Sequence, residues 1–193
     1  MRTVLALAPV LALLAGCTAS SDSACRCSPC TCAKTDAARV VAPASEVQQD
    51  AMIGRIKSLA GTWEMTDDRG QTQVASVFAV SSGGNVVREI MFPGTPHEMT
   101  NMYHMDGDTL IVTHYCAVGN QPRMRAQAAA ASADRIAFAF DSVTNKTSAD
   151  QTCMGNMTIV FVNADTIRQE WRTTTASGAS EDHANFTLKR KKS

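Results

Sequence analysis

The chain has no net charge and no apolar run long enough to cross a membrane as a helix. Its 193 residues carry 18 Lys and Arg against 18 Asp and Glu. A nucleic-acid partner needs a basic face, and this balance offers none. The one basic cluster, Lys189-Arg190-Lys191-Lys192, reads as a solvated strand end, with contact to anionic head groups as the alternative. The longest apolar run, Val4 to Leu14, is about eleven residues and contains Pro9, whereas a spanning helix needs about 20. Also missing are a phosphate-binding glycine loop, a Gly-x-Ser-x-Gly turn and paired carboxylates at a readable spacing. No complete set of nucleophile, base and orienting group emerges, which disfavours an enzyme.

What is present begins at the N-terminus. Arg2, the short apolar run and the small residues that end it have the pattern of a secretory signal. The ending Leu14-Ala15-Gly16-Cys17 resembles the bacterial lipobox. That resemblance implies cleavage after residue 16, a diacylglyceryl thioether on Cys17 and acylation of its new amino end. Residues 1–16 are then a signal peptide, and several acyl chains hold the mature protein stably to a bilayer, each buried methylene adding about 0.8 kcal/mol. Thr18 after the cysteine resembles lipoproteins sent on to the outer membrane. The expected location is the bacterial cell envelope, lipid-anchored, with the outer membrane facing the periplasm favoured over the inner membrane.

Seven cysteines are present, and Cys17 is assigned to lipid. The remaining six are an even number in an exported chain, which fits disulfides. Cys116 and Cys153 form a disulfide candidate closing a loop of about 36 residues, for which chain entropy gives roughly 3–4 kcal/mol. Cys25, Cys27, Cys30 and Cys32 supply enough thiolates for Zn or Cu(I). They sit, however, in a stretch rich in Ser, Ala, Thr and Asp with Pro29 and Pro43 and no apolar periodicity. Residues 17–45 therefore read as a lipidated, Cys-rich, disordered tether. Local disulfides or free thiols are the plainer reading of its four cysteines.

From Ser45 the pattern changes. Ser45-Glu46 followed by Val47, Met52, Ile53, Ile56 and Leu59 predicts one short amphipathic helix. After Gly61 the period becomes two, predicting strands near 61–67, 72–81, 85–92, 98–105, 108–116, 122–131, 135–142, 153–162, 166–174 and 181–190. Asp106-Gly107 predicts a type I′ hairpin pairing Met105 with Asp108. Its inner face would carry Met99, Asn101, Tyr103, Met105, Leu110, Val112, His114 and Cys116. Alternation places Val74, Ser76, Phe78 and Val80 on one face, and likewise Ile136, Phe138 and Phe140, then Met157, Ile159 and Phe161, then Ile167, Gln169 and Trp171. The fold expected for residues 46–193 is all-β: an antiparallel up-and-down barrel of about ten strands with one short N-terminal helix, a two-sheet sandwich being the alternative.

Leu59-Ala60-Gly61-Thr62-Trp63-Glu64 places Gly-x-Trp at the first strand after a short helix. This resembles the lipocalin and fatty-acid-binding superfamily and the nitrobindin-like barrels. Tyr103-His104-Met105-Asp106-Gly107-Asp108, Thr113-His114-Tyr115-Cys116 and Gly119-Asn120-Gln121-Pro122-Arg123-Met124 are similar to uncharacterised exported bacterial lipocalin-like proteins. The nitrobindin-like branch implies haem held by a histidine near the C-terminus, where His183 stands. Glu64-Met65-Thr66-Asp67 departs from that branch's glycine-rich run, and alternation turns His183 away from the face of Ala184, Phe186 and Leu188.

The leading expectation is a binding module: an envelope lipoprotein whose barrel holds a small apolar or amphipathic ligand. Trp63, Phe78, Met99, Tyr103 and Trp171 would form apolar wall, and Asn101, His114 and Gln169 would orient the ligand. Its other partner is the membrane, through the N-terminal lipid; no protein partner can be named. No cofactor or metal is expected, haem on His183 being the alternative. The competing readings are a filled structural barrel, and an enzyme with His114 and Cys116, or His104 and Arg123, at the barrel mouth.

Overall fold

The computed structural model describes residues 40–126, 132–175 and 178–192. The expected signal peptide, Cys17, Cys25, Cys27, Cys30, Cys32 and the end of the predicted 122–131 strand lie outside the described residues. None of the described helices is long and apolar enough to cross a membrane.

Ten strands alternate in direction and close into a barrel. They are β1 (Gly61–Thr66), β2 (Thr72–Ser81), β3 (Val86–Met91), β4 (Met99–Asp106), β5 (Thr109–Tyr115), β6 (Gln121–Ala126), β7 (Arg135–Thr144), β8 (Cys153–Asn163), β9 (Thr166–Thr175) and β10 (Gly178–Arg190). Each pairs with its neighbours in sequence, and β1 pairs with β10 through Trp63↔Arg190 and Glu64↔Lys189. Closure removes the two exposed edges a ten-strand meander would otherwise leave. The β7–β8 ladder stops at Phe138↔Met157, while β7 continues along β6 to Thr144. Cys153–Asn156 therefore pair with β9 alone, and Phe140, beyond the ladder, is 42% exposed rather than interior.

The helix closes one end. Ser45 begins it with a capping box: its Oγ accepts from the Gln48 backbone N–H, and the Gln48 side chain accepts from the Ser45 N–H. α1 (Glu46–Gln49) runs through a π turn (Asp50–Gly54) into α2 (Arg55–Lys57). Ile53, Ile56 and Leu59 are buried in the core, with Met52 packed against it. Val47 is instead 79% exposed, so the inward stripe starts at Met52. The five-residue gap between Val47 and Met52 was the flaw in the predicted stripe.

Gly61 and Trp63 stand where the helix passes into β1. Gly61 has φ +130°, and a Cβ there would meet Arg190 Nη1 at 3.2 Å. Trp63 is fully buried, stands edge-on to Phe78 at 6.4 Å and donates from Nε1 to the Leu59 carbonyl at 2.8 Å. Arg190 lies over the Trp63 ring at 4.4 Å and donates to the carbonyls of Ala60 at 2.8 Å and Ser58 at 2.9 Å. The basic C-terminal cluster thus contains a clasp that ties the last strand to the helix end.

The β4–β5 hairpin corrects one expectation. Asp106 pairs with Thr109 and Met105 with Leu110, so the loop is Gly107-Asp108 rather than Asp106-Gly107. Only Gly107 of the two has positive φ (+64°). Type I′ needs positive φ at both positions, and a glycine first is the type II′ pattern. The register moved by two residues, an even number, so every side chain kept its face. Asn101, Tyr103, Leu110, Val112 and His114 all point inward and are buried.

The tightest backbone approach is at Gly155, in the β8 irregularity between Met154 and Asn156. A Cβ there would lie 2.6 Å from Thr174 Cβ. Gly155→Ala is expected to destabilise the barrel by about 1–3 kcal/mol through overpacking. The measurement is a lower urea midpoint at an unchanged slope.

Candidate functional site

The middle of the barrel is polar and fully enclosed. Phe78↔Glu89, Glu89↔Asn101 and Asn101↔His114 are successive cross-strand partners, so one lateral row runs over β2, β3, β4 and β5. Glu89 points inward between Val87 and Met91 and is 0% exposed. Four donors meet its carboxyl group. Ser76 Oγ (2.6 Å) and Gln169 Nε2 (2.7 Å) donate to Oε1. Asn101 Nδ2 and Tyr103 Oη, both at 2.7 Å, donate to Oε2. An ionised carboxylate offers about four acceptor sites, and this donor set fills them. Burial, then the Glu89 charge and hydrogen bond, push the Tyr103 hydroxyl well above its usual range, so it stays a phenol and a donor.

This network fixes the state of His114. Asn101 gives its amide N–H to Glu89, so its Oδ1 is left as an acceptor. His114 Nδ1 lies 2.7 Å from that oxygen and must carry the proton. The other nitrogen, Nε2, then bears a lone pair. It is buried and has no hydrogen-bond partner. Burial pushes the His114 pKa down to about 4, so the ring is neutral at physiological pH.

Nδ1 is turned to Asn101, and the His114 ring lines a cavity. This cavity, of about 40 Å³, lies towards the far end of the barrel, opposite the helix, and is walled by Met91, Met99, His114, Met154, Trp171, Ala184 and Phe186. The Trp171 ring is tilted against His114 with centroids 4.9 Å apart. Met91 Sδ accepts from Asn101 Nδ2 at 3.3 Å. Cys116 Sγ is 3.9 Å from Met99 Sδ. Larger hollows lie elsewhere. One of about 310 Å³ sits beside the helix, lined by residues including Val41, Ile53 and Met105. Another of about 540 Å³ lies among polar side chains of β8, β9 and β10, including Asn156, Glu170, Arg172 and His183.

The predicted ligand-binding residues therefore divide into three groups. Met99, His114 and Trp171 line the far-end cavity. Asn101, Tyr103 and Gln169 are held in the Glu89 network. Trp63 and Phe78 pack against each other near the helix. His183 is exposed and turned outward, as alternation placed it. His104 also faces outward, near Arg123. Asp106 receives Arg123 at 3.0 Å and Arg125 at 2.7 Å, an outer-wall ion cluster rather than a barrel mouth. Cys116 and Cys153 are free thiols, and burial pushes the Cys153 thiol up while Lys146 opposes it. The Asn120 amide links their neighbourhoods by donating to the Thr152 carbonyl.

Sequence reasoning missed Glu89. The signal was available in the alternation of Val87, Glu89 and Met91 opposite Val86, Arg88 and Ile90, which sets a carboxylate on the face of two apolar neighbours.

Two outcomes follow from this geometry. Glu89→Leu should strand four buried donors, each costing about 1–3 kcal/mol when unpaired, and lower the urea midpoint severely. The histidine titration has a defined sign. The His114 pKa is lower folded than unfolded, so the unfolded chain binds the extra proton between pH 6.5 and about 4. The stabilisation is complete above pH 6.5 and disappears as pH falls to about 4, a difference of roughly 3 kcal/mol. Urea midpoints across that window should fall more steeply in the native protein than in His114→Phe. A scan of protein-family models and a search of curated proteins find no match to this chain.

Proposed function

We propose that this protein is a lipid-anchored protein of the bacterial cell envelope whose barrel binds a small ligand at its far end, with His114 as the polar anchor. One observation carries the reading: His114, whose buried Nε2 has no hydrogen-bond partner, lines a cavity whose other walls are thioether, indole, phenyl and alkyl side chains. A few convergent polar groups in an apolar hollow are the usual composition of a ligand site. A cavity of about 40 Å³ suits an ion or a guest of a few atoms. Sites for drug-sized ligands run to about 300–1,000 Å³. The ligand class is accordingly small, with an acyl chain excluded by Tyr103, Met157 and Trp171, which fill the lumen. The stretch of β8 that contains Met154, Cys153–Asn156, pairs with β9 alone, and its edge away from β9 supplies a route of entry. Anchoring rests on the lipobox-like Leu14-Ala15-Gly16-Cys17.

Xenon enters apolar protein cavities and is a neutral probe of this one. In the full chain with ¹³C-labelled methionine methyls, it should shift Met91, Met99 and Met154 and leave Met105, at the helix end, unmoved. Ala184→Phe, which fills the cavity, should abolish the shifts. Unchanged methyls in the native protein, or equal shifts in the filled variant, would refute the site. For the anchor, Cys17→Ser should end palmitate incorporation and release the protein from membranes. Labelling that persists in that variant would remove the case for lipidation.

A further inference from the structure

The far-end cavity is chemically unusual for an apolar hollow, because its polarizable atoms are sulfur. Met91, Met99 and Met154 wall it together with His114. Resting on the reading of this cavity as the binding site, we infer that the ligand is a soft monovalent metal ion, Cu(I), held by His114 Nε2 and the thioethers of Met91, Met99 and Met154.

Four independent features converge on that ion. The first is the lone pair. The Asn101–Glu89 network holds the proton on Nδ1 and leaves Nε2 bare, buried and without a partner. Metal-ligating histidines nearly always donate their other ring N–H to a carboxylate or carbonyl, which sets the tautomer and the ring orientation. The second is ligand softness. Thioether sulfur selects Cu(I), whereas Zn(II), Mg(II) and Ca(II) favour thiolate, imidazole or oxygen donors. None of the cavity residues is a carboxylate, so a hard dication has no anionic ligand there.

The third feature is charge. Glu89 is wholly buried, and its four hydrogen-bond partners are all neutral side chains. A monocation beside His114, one amide removed from that carboxylate, gives the buried charge a partner. A dication would leave the site over-compensated. The fourth is size. About 40 Å³ accommodates one ion, and the Trp171 indole, tilted against His114, forms part of the same wall. Neutral thioethers and a neutral imidazole bind by simple ligand exchange, with no proton released and no electron transferred. Cys116 is excluded from the ligand set, since its thiol lies beside Met99 but does not line the cavity.

The test uses the full detergent-solubilised chain with Cys25, Cys27, Cys30 and Cys32 changed to Ser, so that the barrel alone is read. Cu(I), supplied anaerobically as its bicinchoninate complex, and Ag(I) should each bind at one equivalent. Binding should quench Trp171 fluorescence and shift the methyls of Met91, Met99 and Met154 but not Met124. His114→Ala should abolish binding. Met99→Leu and Met154→Leu conserve volume and keep the fold. Each should weaken Cu(I) by at least the roughly 10–100-fold that losing an orienting partner costs at metal sites. Cys116→Ser should leave the affinity within a few-fold, and Zn(II) should not compete. Absence of one-equivalent binding, binding that survives His114→Ala, loss of binding in Cys116→Ser, or equal affinity for Zn(II) would each overturn the assignment. If xenon still shifts the same methyls while neither Cu(I) nor Ag(I) binds, the metal assignment falls and the small-ligand site stands. If xenon fails as well, both fall.

Discussion

The interior is organised by one desolvated carboxylate. Glu89 reaches from β3 into a space that apolar residues otherwise fill, and it is met by Ser76 from β2, Asn101 and Tyr103 from β4 and Gln169 from β9. The Gln169 contact crosses the lumen and joins strands 80 residues apart in sequence. A buried charge is costly unless its hydrogen-bonding capacity is filled, and a partly satisfied polar network is worse than an apolar core. These five side chains therefore have little freedom, and their rigidity passes through the Asn101 amide to the ring of His114. The imidazole is oriented by its partners rather than by the cavity it faces.

The barrel's two ends have different chemistry because they are closed differently. At the helix end Trp63, Phe78, Ile53, Ile56 and Leu59 form a dry plug under Arg190. At the far end there is no covering helix among the described residues, and three thioethers and two thiols, Met91, Met99, Met154, Cys116 and Cys153, gather beside Trp171 and Phe186. Methionine is flexible and adapts to irregular space. An end built from it can deform around a guest in a way that the tryptophan plug cannot. The polar middle separates the two regions, which is why the residues expected to share one pocket are distributed over three.

Much of the fold could be read directly because strand parity is a local property. Turn residues such as Asp68-Arg69-Gly70 and Pro93-Gly94 marked the connections, and the alternation of Ile167, Gln169 and Trp171 survived unchanged. Even the misplaced β4–β5 loop did no harm, since a two-residue slip preserves faces. What escaped was relational. Alternation puts Gln169 and Asn101 inside, but only barrel closure brings them to one carboxylate. The tautomer of His114 depends on which way an amide on the neighbouring strand is turned, and that amide is set by Glu89 in turn. Phe140 appeared interior because its own strand alternates well; the ladder beside it ends two residues earlier. The thiols of Cys116 and Cys153 come to one end only after β6 and β7 are folded between them.

The Arg190 clasp bears on how such a chain comes to exist. Every ladder but one joins strands that follow each other, so most of the sheet can assemble as its segments appear. The exception links Trp63 to Arg190, and the guanidinium grips the Ala60 carbonyl across 130 positions of sequence. A polypeptide made from its amino end therefore holds an unfinished, two-edged sheet until β10, through Arg190, is available. The last strand is the lock, and the interval before it turns is when the growing molecule is most exposed to pairing with a neighbour.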